Sequence, residues 1–148
     1  MGEKIPIGAD HAGFELKERL KQELEKLGYE PVDVGTNSTA SSDYPDYAKP
    51  VAEQVSAGKA HRGILTCGTG LGMSYTANRF PNVRAAVAWK PEIAELARHH
   101  NDANILVLPS RFVSEEEGVE ILHRWLETPY DGGRHDRRIA KIEIERKK

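Results

Sequence analysis

Five short apolar runs, at residues 4–9, 29–34, 63–66, 84–88 and 105–108, alternate with stretches of helical period. This alternation constrains the fold more than any other feature. Strands that each feed a helix before the next strand begins give a parallel sheet with helices on both faces. The clearest helix covers 14–27, where Leu16, Leu20, Leu24 and Leu27 fall on one side and Gly28 ends the run. Pro91 suits the first turn of a helix over 91–100. Ser114 and Glu117 form a capping box for another that reaches Glu127. A short helix is expected at 73–78, and a last one at 137–147, after Pro129 and Gly132-Gly133. Within 44–57 lies Pro50, which predicts a short turn and then a helix restarting near that proline.

The 148 residues suit a single domain, 1–148, large enough to bury a core without staples. Net charge is −2 with acids and bases interspersed, so no nucleic-acid surface is expected. No apolar stretch has the length of a membrane span or the form of a signal peptide, and no membrane association is expected. One cysteine leaves no internal disulfide and fits a reducing compartment, so the expected location is cytoplasmic.

In parallel α/β sheets ligands bind beyond the carboxyl ends of the strands. Asp10-His11, Gly35-Thr36, the loop Cys67-Gly68-Thr69-Gly70-Leu71-Gly72 and Ser110-Arg111 all fall there. The loop sets the thiol of Cys67 beside free N–H groups and a helix start, which predicts a lowered thiol pKa and a nucleophile or base next to an anion site. The competing reading is a small buried hydrophobe. Asp10 and His11 could orient a polyol and touch an anion, or could be a helix cap beside a solvated imidazole. The glycine spacing is not that of a dinucleotide fingerprint, and the strand ending near Trp89 offers no ribose-binding acid. Met73 stands where a cysteine phosphatase needs arginine.

No metal is expected, because His99 and His100, adjacent on a helix, point apart. That helix should carry His100 to the edge of the sheet opposite Cys67. His100 is then either structural or at the service of a neighbouring subunit. In Gly132-Gly133-Arg134-His135-Asp136-Arg137-Arg138, a helical second half puts Arg134 and Arg138 on one face as a phosphate clamp. The alternative is a solvated basic surface.

Five ordered segments together give the chain a family resemblance: Gly8-Ala9-Asp10-His11-Ala12-Gly13-Phe14, Asp43-Tyr44-Pro45, the Cys67–Gly72 loop, His100-Asn101-Asp102-Ala103-Asn104 and Gly132-Gly133-Arg134-His135. Over nearly its whole length it resembles the ribose-5-phosphate isomerase B family, which includes the galactose-6-phosphate isomerase subunits. The resemblance implies an α/β, three-layer α-β-α sandwich, Rossmann-like, around a five-stranded parallel sheet with a C-terminal helix. It implies aldose–ketose isomerisation of a sugar phosphate without cofactor or metal, most simply ribose 5-phosphate to ribulose 5-phosphate. It also implies a homodimer or tetramer whose sites are shared between chains.

By the same resemblance Cys67 is the base, and His100, with Asp10 nearby, helps open the sugar ring. Tyr44 and Thr69 contact the sugar, and N–H groups from Gly68 through Gly70 to Gly72 hold the enediolate. His11, Arg111, Arg134 and Arg138 surround the phosphate, and Asn101 accompanies His100 into the partner's pocket. Relatives without the cysteine use a glutamate at the position of Leu71, so here Cys67 must serve. Trp89 after the fourth strand could alter the length or stereochemistry of the accepted sugar. Another phosphosugar, of four or six carbons, is the alternative substrate, and a phosphosugar or nucleotide sensor is the alternative function; retention of Cys67 and His100 argues against a silent binder.

Overall fold

The computed structural model describes residues 2–144. The elements run β1 (Lys4–Ala9), α1 (Phe14–Lys26), β2 (Glu30–Asp33), α2 (Pro45–Ser56), β3 (Gly63–Cys67), α3 (Leu71–Ala77), β4 (Ala85–Val87), α4 (Pro91–Asn101), β5 (Ile105–Pro109), α5 (Glu115–Glu127) and α6 (Arg134–Ala140). All strand pairs are parallel, in the order β2-β1-β3-β5-β4. The order reverses direction between β1 and β3, so the loops leaving these two strands flank a crevice at the carboxyl edge.

Side-chain alternation along the strands builds two cores. Ile64, Leu106 and Leu108 join Leu16, Leu20 and Leu24 of α1 and Ile121, Leu122 and Trp125 of α5 on one face. Leu65, Cys67, Ile105 and Val107 join Val51 and Val55 of α2 and Met73 of α3 on the other. Ala94 places α4 on the first face, which completes a three-layer α-β-α sandwich. One cation is fully buried at the edge of this frame: Lys17 lies 2.6 Å from Asp33 and 2.9 Å from Glu18.

Two expectations about helices need correction. First, α2 does not restart at Pro50 but runs unbroken through it. Its buried stripe, Ala48, Val51, Ala52 and Val55, explains why. Each buried valine is worth about 1.5–3 kcal/mol, so the pair outweighs the ~3 kcal/mol cost of an interior proline. Second, the last helix begins at Arg134, three residues before the expected start, and ends at Ala140. Residues 145–147 of the expected helix lie outside the described residues. By contrast, the Ser114–Glu117 capping box forms in full, and Gly28, at φ +91°, follows the end of α1.

Candidate active site

The carboxyl-edge crevice holds a cavity of about 200 Å³ lined by Asp10, His11, Tyr44, Cys67, Thr69 and Arg111, with Gly68 and Gly72 in its floor. Ser110 holds its loops together. Its backbone N–H donates to Cys67 O at 2.9 Å, and its hydroxyl lies 2.8 Å from Ala12 O and 3.1 Å from Cys67 O. Thr66 ties β3 to the start of α1 by donating to Gly13 O at 2.8 Å. Two glycines leave room for side chains of the cavity, Gly68 for Arg111 and Gly72, the more tightly covered, for the Tyr44 ring. A Cβ on Gly68 would stand 3.0 Å from Arg111 Nη1, and one on Gly72 would stand 2.6 Å from the Tyr44 ring. Gly70 has φ +79° and turns toward Val87 and Val107, away from the cavity lining.

Cys67 is only 4% exposed, yet it lines the cavity. Backbone N–H groups of Met73, Gly70 and Thr69 address its sulfur. The expected lowering of its pKa is not what results. Burial pushes the thiol above its ordinary value of 9.0 and outweighs the N–H groups, while the nearby Asp10 carboxylate adds to the rise. The sequence pattern reveals the nest of donors but not the depth of the sulfur. Leu71 N–H donates to Thr69 Oγ1 at 3.2 Å, so not every N–H in the loop faces the cavity.

Asp10 does not cap α1, whose N-cap is Gly13 with no side-chain partner; its Oδ1 instead closes the turn before the helix, accepting from Ala12 N at 3.0 Å and Gly13 N at 3.2 Å. His11 is not simply solvated. Its backbone N–H donates to Ser42 Oγ, and Ser42 N–H donates to His11 Nδ1, both at 3.1 Å. A backbone N–H can only donate, so Nδ1 is the unprotonated nitrogen and neutral His11 carries its hydrogen on Nε2. Ser42 is a site-shaping residue that sequence reasoning missed. The pairing spans 31 residues, and no local pattern encodes it.

His100, Asn101, Arg134 and Arg138 are not in this cavity. Helix α4 leaves the carboxyl edge after β4 and returns to the amino edge before β5, carrying His100 and Asn101 with it. His100 stacks on His135 there, with ring centroids 4.5 Å apart and planes 16° apart. Burial holds His135 below the ordinary histidine pKa, helped by His100, Arg134 and Arg138 and opposed by Asp131. Arg134 and Arg138 do share one short helix. Trp89, half exposed, does not line the cavity.

Donor atoms of His100, Asp131 and His135 lie within 4.8 Å of one another. As a metal site the trio is a poor fit, because an ion in the plane of one stacked imidazole would lie off the plane of the other. A larger hollow of about 340 Å³ between β4, α4 and residues 142–144 gathers no nucleophile or convergent cations. No helix among the described residues is long and apolar enough to cross a membrane.

The fold and this cavity define a Rossmann-like α/β protein with a thiol, two imidazole or carboxyl groups and a guanidinium at the topological switch point. Residues 5–142 match the Ribose/Galactose Isomerase family, and the chain belongs to it. It is 45% identical to ribose-5-phosphate isomerase B of Escherichia coli K12 over 139 residues, covering 94% of this chain and 93% of the relative. The crystal structure of a ribose 5-phosphate isomerase from Thermotoga maritima superposes with a TM-score of 0.92 at 54% identity, covering 96% of this chain and 98% of that one. Ribose-5-phosphate isomerase B of Mycoplasma genitalium with bound ribulose-5-phosphate gives a TM-score of 0.92 at 42% identity, covering 96% and 95%.

Proposed function

We propose that this protein is a cofactor-independent aldose–ketose isomerase of a small sugar phosphate, with ribose 5-phosphate and ribulose 5-phosphate as its pair. The observation that carries the reading is that Cys67 lines one cavity together with Asp10, His11 and Arg111. The relative that holds ribulose-5-phosphate supports the choice of substrate.

Moving a carbonyl from carbon 1 to carbon 2 requires a base for a weakly acidic C–H. Cys67 thiolate takes the carbon-2 proton, the electron pair forms the enediolate, and the proton is returned to carbon 1. Hydrogen moves between the two oxygens to complete the exchange. Thr69 and the N–H groups of the loop steady the enediolate oxygen. His11 Nε2–H and Arg111 meet the phosphate, which does not react but positions the sugar. Ring opening needs a proton donor and acceptor at the anomeric oxygens, and His100 is the assigned group, with Asp10 nearby. His100, Asn101, Arg134 and Arg138 lie at the amino edge of their own chain, so they serve this cavity from a second copy, in a homodimer or a tetramer built from two dimers. A lone, buried cysteine supports a cytoplasmic location.

Exchange of the carbon-2 hydrogen with heavy water tests the assignment. Cys67→Ala should bind the phosphosugar yet lose turnover and exchange by about a thousandfold or more. Full exchange by that variant would remove Cys67 from the role. Comparison of kcat/KM across four-, five- and six-carbon aldose phosphates should favour ribose 5-phosphate.

A further inference from the structure

The short helix that carries Arg134 and Arg138 has little grip of its own. Only His135 in α6 is buried, and the helix follows two glycines in the left-handed region, at φ +70° and +62°. Such a hinge leaves the direction of the helix to be set by whatever anchors the chain just before it. That anchor is the last turn of α4. Arg98 Nε donates to Thr128 O at 3.3 Å. Asp131 N–H donates to His99 O at 3.0 Å, and the Asp131 carboxylate returns to His99 Nδ1 at 2.7 Å. Tyr130 continues the connection by donating to Asp136 in the first turn of α6 at 2.6 Å.

We infer that His99 is a positioning residue for phosphate recognition: through Asp131 it fixes the glycine hinge and so aims Arg134 and Arg138. The inference rests on the proposed reading of those two arginines as the phosphate grip. It also explains the adjacent histidines of α4. His99 holds the segment before the hinge, and His100 stacks on His135 beyond it. Because the Asp131 carboxylate accepts, neutral His99 carries its hydrogen on Nδ1. Its Nε2 faces Glu95 at the longer distance of 3.6 Å, and Glu95 is itself paired with Arg124.

The two ring nitrogens can be mimicked separately. Asparagine places an amide nitrogen where Nδ1 stands, and glutamine places one near Nε2. His99→Asn therefore keeps the bond to Asp131, and His99→Gln keeps only the contact with Glu95. The probes are KM for ribose 5-phosphate and the calorimetric affinity for inorganic phosphate, each measured on the full chain. His99→Gln should weaken both by about tenfold with kcat within about twofold, while His99→Asn should stay within about twofold of the parent in all three. A general loss of folding would not separate the two variants in this way. Equal affinity in His99→Gln and the parent would overturn the inference, as would equal weakness in both variants. Should the parent fail to isomerise ribose 5-phosphate yet still separate the variants by phosphate affinity, the functional reading falls and the positioning role stands. A parent that binds no phosphate removes the arginine grip and this role together.

Discussion

At the scale of single residues, the chemistry turns on a contest around one sulfur. Three N–H groups favour the thiolate of Cys67, while burial and the Asp10 carboxylate disfavour it, and burial is the largest influence. A group whose pKa lies above 9.0 is mostly protonated in the free enzyme at neutral pH, so the competent form is the minority form. Raising the pH increases that fraction. The value of kcat/KM, which reports on free enzyme, should therefore keep climbing with pH between about 7 and 9 and reach no plateau in that range. A plateau already at pH 7 would mean that the thiol is activated in the free enzyme and that the N–H groups prevail over burial.

At the scale of elements, α2 illustrates how packing overrules a local signal. Pro50 has no N–H to give the carbonyl one turn back, and its ring crowds that carbonyl, yet the helix keeps its buried stripe. Replacing Pro50 by Ala should restore the bond and stabilise the fold by about 1–3 kcal/mol, less what proline contributes by restricting the unfolded chain. Urea unfolding followed by circular dichroism measures the change; an unchanged or lower midpoint would indicate that the proline ring itself packs productively. The same contrast between local and distant causes decides what a reader of this sequence can see. The leucine spacing of α1, the Ser114–Glu117 box and the glycines after Cys67 are local, and each led to the right element. The Ser42–His11 pairing, the depth of Cys67 and the His99–Asp131 clamp join residues that are distant along the chain. Only the packed sheet brings those partners together, so no local window contains them. The continuity of α2 falls in the same class, because its cause is the face it buries against β1 and β3.

At the scale of the whole molecule, the proposed machinery is split between opposite edges of the sheet. Cys67 belongs to the carboxyl edge, while His100, Arg134 and Arg138 belong to the amino edge, separated by the length of α4. A chain acting alone cannot bring them to one sugar, so the proposed reaction requires two copies arranged edge to edge about a two-fold axis. This makes a sharp prediction from two inactive variants. Cys67→Ala keeps a good His100, and His100→Ala keeps a good Cys67. In a mixed dimer one pocket receives both defects and the other receives neither. Unfolding the two variants together and refolding them at equal concentration should give about half mixed dimers, each with one sound pocket, and so recover about a quarter of the parent's activity. Each variant refolded by itself should remain inactive. If the mixture stays as inactive as its components while cross-linking confirms that mixed dimers have formed, Cys67 and His100 do not meet across an interface. His100 would then return to a structural role beside His135, and ring opening would have to rely on groups of the carboxyl edge alone, with Asp10 and His11 the nearest candidates.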